Sequence, residues 1–323
     1  MKALITGVAG FVGSFLAEYL LAQKAQVAGL DRSDTDRSRL DLVSDRVRFY
    51  SCDMRCYEDV RRIIEEVRPD RVFHLAAQSF VPQSWKKPED TFTSNVIGQI
   101  NLLEAIRECG LKPRIHVAGS SEEYGLILEH ELPVTEENPL RPLSPYAVSK
   151  VTQDLMGYQY FKSYGMAIVR TRAFNHTGPR RHESFVLSNF SKQVALIEAE
   201  MQDPVIQVGN LDAVRDFTDV RDMVQAYGLV LEKCEPGEIY NICSGIGRRI
   251  GDLLELIIAQ SKVKIKIKKD PQRTRPSDLP RVVGQCQKFT QLTGWKPSIP
   301  IEKTIRDLLD YWRDRVKSAK TIT

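Results

Sequence analysis

No apolar run in this chain approaches the roughly 20 residues a bilayer-spanning helix needs, so no membrane span is expected. A strand opens at Lys2 and leaves no room for an export leader, which makes the cytoplasm the expected location. Dense blocks of one charge are also missing. Lys and Arg number 46 against 42 Asp and Glu, a net charge of +4. The most basic run, KIKIKK at 264–269, alternates lysine with apolar residues as an exposed strand edge does, and nucleic-acid binding is not expected. Cysteine pairs with metal-ligand spacing are absent. Cys52, Cys56, Cys109, Cys234, Cys243 and Cys286 are scattered, and they read as reduced thiols with no metal site. Repeats and low-complexity tracts do not occur. What remains is an ordinary globular composition, 42% apolar and 27% charged, long enough at 323 residues for one large or two moderate domains.

Strand and helix patterns alternate from the start. An apolar run at 2–6 ends in TGVAGFVG, after which helical periodicity begins at Phe11. Gly7, Gly10 and Gly13 therefore stand in a strand–turn–helix context. There the first allows a tight turn, the second a close approach of backbone to a pyrophosphate, and the third close packing of helix on strand. Free N–H groups at the helix start would hold the phosphates. Further strands are expected at 26–31, 47–52, 71–76, 114–118 and 166–173, with helices at 57–67, 95–109 and 144–164. This is the pattern of an α/β fold with a doubly wound parallel sheet. Past residue 175 the pattern loosens into shorter helices (185–199, 220–231, 250–261, 301–316) and short strands. A Rossmann-type domain over 1–174, rejoined by about 209–245, and a smaller mixed α/β lobe over 175–323 are expected. Asp31 ends the second strand and can accept hydrogen bonds from the adenosine ribose, which favours NAD(H). Arg32, Arg37 and Arg39 follow and could bind the extra phosphate of NADP(H). Asp53 could cap the adenine amino group or simply form a turn.

The chemistry centres on SPYAVSK, where Tyr146 and Lys150 are one helical turn apart on one face. An adjacent ammonium is expected to lower the phenol from its usual value of about 10, making Tyr146 a general acid/base. Ser120 ends the fifth strand, where ligands of such sheets sit, and its hydroxyl could hold the carbonyl oxygen on which Tyr146 acts.

TGVAGFVG, HLAAQS (74–79), Asn95, SSEEYG (120–125) and the Tyr146/Lys150 pair together resemble the extended short-chain dehydrogenase/reductase family. The likeness covers the whole chain. FNHTGPRR (174–181), GNLDAVRDFTDVRD (209–222), YNICSG (240–245), RPSD (275–278) and TGWKP (293–297) are similar to enzymes acting on GDP-linked hexoses. This resemblance implies Ser120, Glu122, Tyr146 and Lys150 as catalytic residues. It implies Gly7, Gly10, Phe11, Val12, Gly13, Asp31, Arg32, Asp53, Met54, Leu75, Ala76, Ala77, Asn95, Tyr146, Lys150 and His176 at the cofactor, NADP(H) or NAD(H). His176 reads equally as a packed strand-end residue. Ser121, Asn175, Val186, Lys192, Arg215, Arg275 and Asp278 are implied at the GDP-sugar, and a homodimer, or a tetramer, as the assembly.

Two activities of that family fit. One is reduction of GDP-4-keto-6-deoxy-D-mannose at C4 to GDP-D-rhamnose, and the other is GDP-mannose 4,6-dehydration with Glu122 as the base at C5. Ser120 in place of threonine, RDFTDVRD and YNICSG favour the reductase; Arg180–Arg181 resembles the dehydratase loop. A non-catalytic dinucleotide sensor is disfavoured because Ser120, Tyr146 and Lys150 are all present.

Overall fold

The first strand, β1 (Lys2–Thr6), is buried from its second residue onward. That is the mark of a parallel strand covered on both faces. In this computed structural model, which describes residues 1–273 and 279–322, the chain runs on through α1 (Phe11–Ala22), β2 (Gln26–Asp31), β3 (Val47–Ser51), α2 (Tyr57–Val67) and β4 (Arg71–His74). Then come α3 (Val81–Lys86), α4 (Pro88–Phe92), α5 (Gly98–Glu108), β5 (Arg114–Ser120), α6 (Pro145–Tyr164), β6 (Ile168–Ala173) and β7 (Asn175–Thr177). The remainder holds α7 (Val186–Glu198), β8 (Val205–Val208), β9 (Val214–Asp219), α8 (Val220–Lys233), β10 (Ile239–Ile242), β11 (Gly247–Arg249) and α9 (Ile250–Ile258). It closes with β12 (Lys266–Lys269), β13 (Arg281–Val282), α10 (Gln287–Thr293) and α11 (Ile301–Ile322).

Seven parallel strands make the main sheet in the order β10-β6-β5-β4-β1-β2-β3. The order reverses between β1 and β4, which opens the crevice where ligands of doubly wound sheets bind. Helices α1 and α8 cover one face through Leu16, Leu20, Met223 and Tyr227. The other face is closed by α2, α5 and α6 through Ile63, Leu102, Ile106 and Tyr160. A separate apolar cluster joins α7, α9 and α11 around Phe190, Leu254, Ile305 and Leu308.

The sequence-based boundaries differ from these at strand ends. The fifth strand runs two residues further, to Ser120, and the fourth stops at His74, two short of expectation. The expected helix over 95–109 is instead a π-turn, Thr93–Ile97, leading into α5. The KIKIKK strand is exposed and, among the described residues, pairs only with β8, as an edge does.

The acids of RDFTDVRD turn out to be buried anchors for neighbouring loops. Asp216 accepts the backbone N–H groups of Ser244, Gly245 and Gly284 at 2.8, 2.9 and 3.3 Å. Asp219 caps α8 through the Arg221 N–H and accepts the Thr304 hydroxyl at 2.7 Å. Asp222, fully buried, accepts from Ser298 N and Oγ and from Ile299 N, each at 2.9 Å. Removing the Asp222 carboxylate strands these donors without water. Asp222→Ala is therefore expected to lower stability by about 2 kcal/mol, measured as a drop in the urea midpoint; an unchanged midpoint would show that the anchor is dispensable.

Candidate active site

The glycine turn is a packing necessity as much as a ligand cradle. Gly7 has φ +73°, and a Cβ there would stand 3.0 Å from the backbone of Ala76, across the crevice. A Cβ on Gly13 would come 2.2 Å from the Gly7 carbonyl, so a larger residue would push α1 off β1. Thr6 Oγ1 ties the two sides together by accepting the N–H groups of Leu75 and Ala76 at 3.2 and 3.1 Å. Asp31 accepts from Ala9 N at 3.1 Å and from the Thr35 hydroxyl at 2.9 Å, which orients its carboxylate at the tip of β2.

A cavity of about 1520 Å³ runs from this turn to Arg215, Phe217 and Ile250. That exceeds the 300–1,000 Å³ typical of a single small-molecule site, and leaves room for a dinucleotide and a second nucleotide together. Its wall includes Gly7, Gly10, Phe11, Val12, Gly13, Asp31, Arg32, Asp53, Met54, Leu75, Ala76 and Ala77. Ser120, Ser121, Glu122, Tyr146, Lys150, Asn175, His176, Val186 and Arg215 also line it.

Two residues expected in the site lie elsewhere. Asn95 is fully buried behind the wall, where its carboxamide accepts from Gln78 N at 2.7 Å and donates to Ser149 Oγ at 2.9 Å. It braces the loop after β4 against α6. Lys192 is outside the cavity, because Glu183 takes its ammonium at 2.6 Å beside the Trp312 ring. Arg275 and Asp278 lie outside the described residues. Asp53, at the wall, has both oxygens engaged by the Arg55 side chain at 2.6–3.0 Å, with the Arg55 N–H at 2.9 Å as in a turn.

Helix α6 delivers the central pair. Ser144 caps it by accepting the Ala147 N–H at 3.1 Å, and Pro145 occupies the first turn, where no backbone N–H is needed. One turn in, Tyr146 is 7% and Lys150 5% exposed. Burial raises the Tyr146 phenol above its ordinary range, hydrogen bonding with Ser120 opposes the rise, and Glu122 and Glu123 add to it. This corrects the expected lowering by Lys150. The Lys150 ammonium is turned to the Ala118 carbonyl at 2.9 Å, and the cation acting on Tyr146 is Arg181. Lys150 itself is pushed down by burial. The free protein thus holds a protonated phenol, ready to donate.

Arg181 was legible only as part of a loop motif. Its guanidinium lies against Phe185 at 3.4 Å and Phe11 at 4.8 Å, and its buried Nε has no hydrogen-bond partner among the described residues. Burial pushes it down to about 9. A desolvated guanidinium facing a cavity suits a phosphate oxygen. Its neighbour Arg180 lies over Phe15 and pairs with Glu18 at 2.6 Å, which fixes the loop to α1. His176 stacks parallel to Phe11, ring centroids 6.2 Å apart, and burial pushes it down to about 4, so it is neutral. Arg273, also at the wall, was missed as well; it donates to Asn189 at 2.8 Å.

Comparison with known proteins agrees with this geometry. The family model described as GDP-mannose 4,6 dehydratase matches residues 4–308. The chain is 34% identical to a GDP-6-deoxy-D-mannose reductase of Pseudomonas aeruginosa, over 98% of each chain. It is 30% identical to a GDP-mannose 4,6-dehydratase of Yersinia enterocolitica, over 95% of this chain and 92% of that one. The solved structure of RMD from Pseudomonas aeruginosa, complexed with NADPH, superposes with a TM-score of 0.85 at 33% identity, covering 97% and 99% of the two chains. A glycine turn at the sheet's switch point, a Tyr–Lys helix beside it and these full-length matches make the chain a member of the GDP-mannose 4,6-dehydratase family of short-chain dehydrogenases/reductases.

Proposed function

We propose that this protein reduces the C4 keto group of GDP-4-keto-6-deoxy-D-mannose, giving GDP-D-rhamnose, with NAD(H) or NADP(H) bound at the glycine turn. The reading is carried by the buried, protonated Tyr146 hydrogen-bonded with Ser120 at the cavity wall. Gly7, Gly10 and Gly13 would hold the pyrophosphate, Asp31 the adenosine ribose and Lys150 the nicotinamide ribose. When bound, the cofactor supplies hydride to C4. Ser120 Oγ holds the carbonyl oxygen, and Tyr146 donates its phenolic proton to that oxygen as the alcohol forms. Arg181 and Arg215 would bind the diphosphate of the sugar nucleotide, which divides recognition between the dinucleotide half and the C-terminal lobe.

Cofactor choice leans to NADH. Arg32 is drawn to Asp34 by two contacts of 3.1 Å, Arg37 lies over Phe49, and Arg39 donates to the Arg180 carbonyl. The cations available for a 2′-phosphate are thus engaged, while Asp31 would repel it. A higher kcat/KM with NADH than with NADPH is the expected result, and the reverse order would sink this preference.

The second reading, GDP-mannose 4,6-dehydration, rests on Glu122 at the cavity wall. Loss of water across C5 and C6 needs a base and an acid beyond Tyr146. Glu122, however, is exposed, with its backbone N–H given to Ser120 Oγ at 3.2 Å. The two readings part cleanly in one assay. Incubation with GDP-mannose and no reduced cofactor should yield no 4-keto sugar, whereas the supplied 4-keto sugar should consume NADH or NADPH. A 4-keto product from GDP-mannose would overturn the reductase. Glu122→Gln should alter kcat less than about 3-fold in a reductase and lower it roughly 100-fold in a dehydratase.

Tyr146→Phe removes the proton donor from either chemistry. A kcat drop of at least about 100-fold is expected, and turnover near that of the native protein would refute the role.

The outer face of α6 bears on assembly. Val148, Leu155 and Tyr158 are 38%, 55% and 43% exposed at helical spacing, with Ile97 nearby in the preceding segment at 42%. Such an exposed apolar stripe supports a homodimer, with a tetramer as the alternative. Light scattering should give twice the chain mass and fall to one chain for Leu155→Glu; a monomeric native protein would refute the dimer.

A further inference from the structure

Glu123, the neighbour of Glu122, is fully buried and belongs to none of the roles described so far. Its Oε1 accepts the Ser120 N–H at 2.7 Å, and its Oε2 accepts from Arg172 Nε at 3.2 Å. Arg172 also donates to Asp154 through Nη2 at 2.6 Å, and Asp154 pairs in turn with Arg170. Asp154 follows Tyr146 and Lys150 on the same stripe of α6, at spacings of eight and four residues. The carboxylate presses so closely on β5 that a Cβ on Gly119 would stand 2.4 Å from Oε1. Three consecutive residues are therefore gripped together: Ala118 by Lys150, Gly119 by contact with Glu123, and Ser120 by its amide.

We propose that Glu123 is a positioning residue for this site: anchored by Arg172, it sets the end of β5 so that Ser120 Oγ meets Tyr146 while the Ala118 carbonyl steers Lys150. It touches no reacting atom. Its second effect is electrostatic. Burial pushes Lys150 down and Glu123 pushes it back up. Burial and then Asp154 raise Glu123, and Arg172 opposes them. Beside this pair, two guanidinium groups, Arg170 and Arg172, share the one carboxylate of Asp154, an excess positive charge that ionised Glu123 balances. His74 and His116 on β4 and β5 are pushed by burial to about 3 and stay neutral, as does Tyr146, while Asp154 is shared by Arg170 and Arg172. On the alkaline side, where Glu123 is ionised, its charge keeps Lys150 an ammonium to higher pH.

The inference rests on Tyr146 and Lys150 as the working pair, so Glu123→Gln is measured beside Tyr146→Phe in whichever activity the native protein displays. Glu123→Gln should retain dinucleotide affinity within about 3-fold, lose roughly 10- to 100-fold in kcat with little change in KM, and shift the alkaline limb of kcat to lower pH. If Glu123→Gln does not fold, the Glu123→Leu/Arg172→Met pair, which removes both charges and leaves Asp154 with Arg170, is read by the same criteria. Native kcat and an unmoved alkaline limb in the folded variant, with Tyr146→Phe inactive, would overturn the positioning role alone. An active Tyr146→Phe would instead overturn the assignment of Tyr146.

Discussion

The structure depends on keeping charge where water is nearly absent. Beneath the cavity, Arg170, Arg172, Asp154, Glu123 and Lys150 are each 7% exposed or less. Such groups are tolerated only when every charge has partners, because losing one leaves the other stranded in a medium that cannot solvate it. The arginines come from β6, Asp154 and Lys150 from α6, and Glu123 from the turn after β5. The geometry of any one of these elements therefore constrains the other two. Strict alignment of β5 and α6 is what a reaction on one oxygen requires, since Ser120 sits on the first and Tyr146 on the second.

The same strip explains why the phenol behaves opposite to the simplest reading of a Tyr-x-x-x-Lys pair. Spacing puts both side chains on one helix face, but it says nothing about where the ammonium points. Here the nearest good acceptor for Lys150 is the Ala118 carbonyl, and the dry surroundings of Tyr146 dominate its titration. The resting phenol is therefore protonated.

Much of the fold was legible because its physics is repetitive. Strands buried on both faces read as short apolar runs, and a glycine turn between a strand and a helix has few other uses. Strand ends were less legible, since β5 continues to Ser120 only because Glu123 and β6 hold it there. In the site, the residues expected near the sheet's carboxyl edge line the cavity, while those expected on helices do not always. Lys192 follows Glu183 away from the cavity, and Asn95 satisfies backbone instead of ligand. Arg181 was visible as a letter in a loop, but nothing in spacing shows it folding between Phe11 and Phe185.

Glu122 and Glu123 make the sharpest case. Adjacent glutamates in a 3₁₀ turn point about 120° apart, so one can face the cavity while the other enters the core. Composition cannot tell which is which, and the difference decides their chemistry. Glu122 remains exposed at the wall, where it could meet a substrate carbon, whereas Glu123 is consumed by the Ser120 amide and Arg172. The frame that aligns hydroxyl, phenol and ammonium can thus be kept unchanged while Glu122 varies. A residue on the cavity wall can then vary without disturbing the alignment of Ser120, Tyr146 and Lys150.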